Sequence, residues 1–182
     1  PLMPINISDM FDEDEHRLPS AELLKGVRII TSSGGNVTAK MIKDLEKHFA
    51  NAKIYSMHGL TEAFRSTYLD PAQLKIRPNS IGKAIPDVEL YVIDENGKEC
   101  APRVVGELIH RGGYIYKGFW NAPKETEQRF KSIDILKNAI NLEGQLRDEI
   151  VVKTGDYVYK DEEGYFYFVS RQDDMIKTRG FR

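Results

Sequence analysis

Lys53-Ile54-Tyr55-Ser56-Met57-His58-Gly59-Leu60-Thr61-Glu62 decides how this chain is read, because a short strand, Lys53 to Met57, runs into a glycine followed by a paired hydroxyl and carboxylate. Upstream, Val27-Arg28-Ile29-Ile30-Thr31-Ser32-Ser33-Gly34-Gly35 reads as a short buried strand entering a glycine pair. Between the two, Met41, Ile42, Leu45 and Phe49 recur at helical spacing, with Thr38 available as the N-cap. Strand, helix and strand predict an α/β unit. Its two loops then lie at strand carboxyl ends, where open α/β sheets bind ligands.

The loop after the second strand admits two readings. In the first, Glu62 is a ligand for a hard cation such as Mg²⁺, which takes oxygen donors and keeps phosphates and waters in its shell. Thr61 donates its hydroxyl to a phosphate oxygen, and Gly59 lets backbone approach a ligand closely. In the second, Gly-x-Thr-Glu simply begins a helix, with Thr61 as cap and Glu62 at the positive helix end. Gly34-Gly35 is likewise either a tight turn or a backbone surface against which a base lies flat.

Composition narrows the function classes. The 182 residues carry Lys+Arg 26 and Asp+Glu 28, a formal net charge of -2. That leaves no basic footprint for nucleic acid, and none is expected as a partner. A single cysteine, Cys100, excludes an internal disulfide and, with no His/Cys cluster nearby, argues against structural zinc; a reducing cytoplasm fits. No run approaches the ~20 apolar residues of a membrane span. Asp12 to Glu15 form an acidic run in a proline-punctuated stretch that reads as an exposed connection, with no chemistry assigned to His16.

Beyond Pro71 helical spacing gives way to β-type alternation. Val88 to Ile93 followed by Asn96-Gly97 signals a hairpin, and Tyr157 to Lys160, Asp161 to Gly164 and Tyr165 to Val169 signal a second. The aromatics here read as cross-strand packing. Trp120, ahead of the helix-start signal Asn121-Ala122-Pro123, reads as a core anchor. Glu107 is either an exposed strand charge or a hydrogen-bonded support for neighbouring loops. The 131–150 segment mixes a short apolar helix-like pattern with charges and has no functional reading.

Four motifs occur in one order: Gly34-Gly35; Gly59-Leu60-Thr61-Glu62; Val105-Gly106-Glu107-Leu108 with Lys117-Gly118-Phe119-Trp120; and Thr154-Gly155-Asp156 followed by Arg171-Gln172-Asp173. In this order they resemble the adenylate-forming superfamily of acyl-CoA synthetases, aryl-CoA ligases, luciferases and peptide-synthetase adenylation domains, over most of the chain. The resemblance implies an α/β fold. A partial α/β sheet subdomain (residues 1–75) is followed by a small distorted β-barrel subdomain (76–170) and by a hinge with the start of a C-terminal small domain (171–182). The rest of that domain with its lysine, and an upstream phosphate loop, are expected to lie outside this chain. It therefore reads as a fragment, inactive alone, whose partners include the missing parts of its own protein.

The same resemblance assigns roles. Gly34 and Gly35 line the adenine and acyl pockets, Gly59 lets the backbone approach the bound nucleotide, Thr61 and Glu62 serve the phosphates and Mg²⁺, and Asp173 is the hinge. The family usually places an aromatic ring before the motif glycine to stack on adenine; His58 departs from this, although imidazole is planar and can stack. Asp156, at the end of a short strand Thr154-Gly155, can accept two hydrogen bonds from vicinal ribose hydroxyls, its alternative being an Asp in a turn. Arg171 offers a guanidinium fork to ribose or phosphate, its alternative being a surface charge.

The implied function is an ATP-dependent acid-CoA ligase. A carboxylic acid substrate attacks the α-phosphorus of ATP, giving acyl-AMP and pyrophosphate, and CoA then captures the acyl group. ATP/AMP, Mg²⁺ and CoA are the expected cofactors. Ala63 to Tyr68 and Ser80 to Ala84 look more like acyl-CoA ligases than peptide-synthetase domains. The alternatives are a ligase loading a carrier protein's phosphopantetheine, and a nonenzymatic nucleotide-binding homologue. His58 favours the latter, while Glu62, Asp156 and Arg171 argue against it.

Overall fold

A computed structural model describes residues 24–33, 37–145 and 148–172. Gly34, Gly35 and Asp173 lie outside the described residues, as does the acidic run. Strand β1 (Ile29–Ser32) leads through helix α1 (Ala39–His48) to β2 (Lys53–His58), which pairs with β1 in parallel. Parallel neighbours need such a crossover, and here a helix supplies it. Thr38 caps α1 as the spacing predicts, its hydroxyl accepting from Met41 N–H at 3.2 Å. Ile42, Leu45 and Phe49 are buried with Ile54, Leu69 and Leu74. Each such buried side chain contributes roughly 1.5–3 kcal/mol. One expectation fails: β1 is not buried, because among the described residues it has a single neighbour at the sheet edge, which leaves Ile29 61% exposed.

The chain continues through β3 (Thr67–Leu69), β4 (Ser80–Ala84), β5 (Val88–Ile93), β6 (Gly106–Gly112), helix α2 (Pro123–Arg129), β7 (Phe130–Ser132), β8 (Ile150–Lys160) and β9 (Phe166–Arg171). The strands of the described residues form one sheet in the order β1-β2-β3-β4-β9-β8-β6-β5, with β7 also on β8. The α/β class holds, but the sheet does not close into a barrel. β4 is already paired on one edge with β3 and on the other with β9, so β5 has no free edge of β4 to join.

The second hairpin forms as predicted, Asp161 N–H donating to Tyr165 O at 2.9 Å across its turn. The first is looser. Asp94 accepts from the N–H groups of Asn96 and Lys98 at 2.9 Å, but the returning chain meets β5 only at a bridge between Ile93 and Glu99, before β6 completes the pairing. Along β6 the pleat sends Leu108 to a cluster with Val88, Leu90, Val92, Val158 and Phe166. Ile109 goes to the other face with Ile93, Ile133, Leu136 and Val151. Residues 133–142 of the 131–150 segment thus have a structural role. They cover a second sheet face that would otherwise expose an apolar surface. Trp120 is not a core anchor: it is 91% exposed just before α2, whose Pro123 occupies the first turn. No helix among the described residues is long and apolar enough to cross a membrane.

Candidate functional site

At the carboxyl end of β2 the chain leaves the sheet after His58 and runs irregularly to Ser66, whose N–H returns to donate to His58 O at 2.8 Å. No helix begins here, so the capping reading of Thr61 and Glu62 does not hold. Gly59 is required by its own loop: a Cβ there would stand 2.8 Å from the backbone N and Cα of Arg65. Tyr116 N–H donates to Glu62 O at 3.0 Å, and Phe64 N–H to Tyr114 O at 3.2 Å, which pins the loop to the stretch after β6. Thr61 is exposed. Glu62 is 5% exposed, and its Oε2 has no hydrogen-bond partner. A buried carboxylate oxygen left unmatched is costly unless something else satisfies it.

Asp156 lies in the middle of β8, not at the end of a short strand, and is the direct cross-strand partner of Arg171 on β9. It is 1% exposed. Nη1 of Arg171 lies 3.2 Å from Oδ1, a charge contact without hydrogen-bond alignment, since Oδ1 makes no hydrogen bond. On the other oxygen, His58 Nε2 donates to Oδ2 at 2.9 Å. His58, Asp156 and Arg171 are therefore brought together from three strands. Their backbone is held as firmly. Thr154 Oγ1 donates to Leu108 O at 2.7 Å and accepts from Asp156 N–H at 3.1 Å. Gly155 adopts φ +69°, a left-handed conformation that glycine takes without strain, and its N–H donates to Glu107 Oε1 at 3.3 Å. Lys153 Nζ sits 3.0 Å from the other oxygen of Glu107. Of the two readings of Glu107, the supporting hydrogen bond is the one the structure bears out.

His110 is a buried functional group that the sequence reading passed over. It is wholly buried, with Nδ1 2.9 Å from Ser66 Oγ and no partner for Nε2. Burial pushes its pKa down to about 4, so the ring is neutral at pH 7. The pair ties the end of the Gly59–Ser66 loop to β6. In the sequence only its place directly after the apolar pair Leu108-Ile109 marks it.

Residues 3–120 match the family described as AMP-binding enzyme. The chain belongs to that family. Among curated relatives, bacitracin synthase 1 of Bacillus licheniformis is 30% identical over 90% of this chain and 3% of its own length. The acetyl-coenzyme A synthetase of Bacillus subtilis is 31% identical over 87% of this chain and 25% of its own. Among solved structures, IdnL1 superposes with a TM-score of 0.74 at 28% identity, covering 88% of this chain and 31% of that one. The chain thus spans a quarter or less of these two curated relatives. This is an adenylate-forming family chain with the predicted α/β class.

The residues present fit a bound Mg²⁺ in one respect. Among the described residues no group of three or more His, Cys, Asp or Glu side chains can cage a metal, but Glu62 offers a buried carboxylate oxygen without a partner. A cation that takes most of its ligands from phosphates and water needs no more than one or two carboxylates from the protein.

Proposed function

We propose that the full-length protein activates a carboxylic acid as its acyl adenylate, releasing pyrophosphate, and passes the acyl group to the thiol of CoA, releasing AMP and the thiol proton. The observation that carries this reading is Asp156, a buried acceptor registered opposite Arg171 and joined by His58 to the loop-bearing end of β2. In this reading the Asp156 carboxylate accepts the ribose hydroxyls, and Arg171 sets a positive charge 3.2 Å from its Oδ1. Thr61, exposed in its loop, donates to a phosphate oxygen. Glu62 holds Mg²⁺, which when bound neutralises phosphate charge. No protein nucleophile is needed; the chain's contribution is positioning and electrostatic complementarity to charge developing on phosphate. Gly34 and Gly35 line the nucleotide pocket and Asp173 is the hinge in the same proposal, as is the division into 1–75, 76–170 and 171–182.

A carrier-protein phosphopantetheine is the second acceptor considered, because a bacitracin synthase stands beside an acetyl-coenzyme A synthetase among the relatives. A cytoplasmic setting, where ATP and CoA are at hand, belongs to the proposal. Supplying the full-length protein with acid and ATP and comparing free CoA with a carrier protein separates the two acceptors. Thioester formation on CoA supports the first, and formation on the carrier alone overturns it.

A further inference from the structure

We infer that His58 is a gate on Asp156 and sets how strongly the site discriminates the ribose of a nucleotide; this rests on the adenylating reading and adds a specificity determinant to it. Asp156 is buried, and both of its oxygens are approached from within the protein, Oδ2 by the imidazole N–H at 2.9 Å and Oδ1 by the Arg171 guanidinium at 3.2 Å. The carboxylate has lone pairs to spare, since Oδ1 makes no hydrogen bond, but Asp156 is 1% exposed, so a vicinal diol reaches it only when a covering side chain gives way.

The two covers are not equivalent. Arg171 is registered opposite Asp156 by the β8–β9 ladder and is itself buried. His58 is the last residue of β2, its side chain 14% exposed, with the half-open ring of Phe168 beside it at 6.0 Å between centroids. Rotation of His58 about its Cα–Cβ bond frees Oδ2 without disturbing the ladder.

This exchange has a consequence for selectivity. A nucleotide with a ribose diol gains hydrogen bonds to Asp156 but breaks the one from His58. A nucleotide lacking the diol leaves His58 and Asp156 paired, so it forfeits little. An aromatic ring without the N–H removes that competition. The diol then meets a carboxylate that has lost its donor on Oδ2 and has none on Oδ1, and without the diol both buried oxygens are left without a hydrogen bond, which is costly.

The test is calorimetric titration of the full-length protein with ATP and with 2′,3′-dideoxy-ATP, comparing wild type, His58→Phe, His58→Tyr and His58→Gln. The ratio of the two dissociation constants is expected to stay within about threefold in wild type and in His58→Gln, which keeps an N–H donor, and to reach about tenfold or more in the aromatic variants. A ratio read within one variant is insensitive to a general loss of stability, and either aromatic variant suffices if the other does not fold. Equal ratios in wild type and an aromatic variant overturn the gate and leave the adenylating reading standing. Failure of wild type to bind either nucleotide overturns that reading, and the gate with it.

Discussion

Asp156 and Arg171 are direct cross-strand partners, with Nη1 of one 3.2 Å from Oδ1 of the other, and both are buried. Their pairing follows from the β8–β9 register, which brings a carboxylate and a guanidinium to one point on the sheet. Breaking such a pair leaves a charge buried without its partner, typically at a cost of about 3–5 kcal/mol. Arg171→Ala is therefore expected to lower the denaturant midpoint markedly and to abolish nucleotide binding. Arg171→Lys should recover part of the stability but less of the binding, because an ammonium lacks the planar fork. Equal recovery of both in the lysine variant would contradict the positioning role.

Glu62 is expected to separate stability from activity. Its Oε2 is buried and unpartnered, so Glu62→Gln removes a charge that folding had to desolvate. Denaturation should show the variant at least as stable as wild type. Acid-dependent ATP/pyrophosphate exchange by the full-length protein should fall about 10²-fold or more, in line with loss of an electrostatic contact to a reacting phosphate. A less stable variant with unchanged exchange would assign Glu62 to the fold alone.

His110 gives the chain an acid-sensitive stability. Burial lowers its folded pKa from 6.5 to about 4, so between those values the unfolded chain binds more protons than the folded one. This contribution is fully present above pH 6.5 and is lost as pH falls toward 4, by up to about 3 kcal/mol in total. His110→Leu cannot titrate. Its stability should be lower at neutral pH, where Ser66 Oγ loses its partner, yet flatter across that window. The same pH slope in both proteins would assign the acid sensitivity to other groups.

Gly59→Ala tests the loop itself. The added methyl would meet backbone at 2.8 Å, where no side chain can move aside, so overpacking should cost about 1–3 kcal/mol. Nucleotide binding should weaken with it, since His58 is held by the same loop through Ser66 N–H. A fully stable variant with wild-type binding would show that the loop yields more easily than its packing indicates.

The local elements of this fold were legible in the sequence because each rests on short-range chemistry. Thr38 and the Met41, Ile42, Leu45, Phe49 spacing define α1, and Asp161 to Gly164 define the second hairpin turn. What escaped depends on non-local neighbours. The exposure of β1 follows from its place at the sheet edge, and the open sheet from the use of both β4 edges by β3 and β9. Trp120 is apolar enough for a core, yet nothing in its own segment says that the described chain leaves it uncovered. Among site residues, Asp156 and Arg171 could be named from their motifs, but the His58 contact with Asp156 joins residues far apart in the chain, and no spacing rule announces it. His110 was missed for the same reason. Its partner, Ser66, lies on another element.

The most direct measurement is ATP/pyrophosphate exchange by the full-length protein across a panel of short, long-chain and aromatic carboxylic acids, with Asp156→Asn as the control. Exchange that requires one class of acid and collapses in the control is the predicted result. Absence of exchange with every acid, or exchange undiminished by Asp156→Asn, would contradict the claim that this site forms an acyl adenylate.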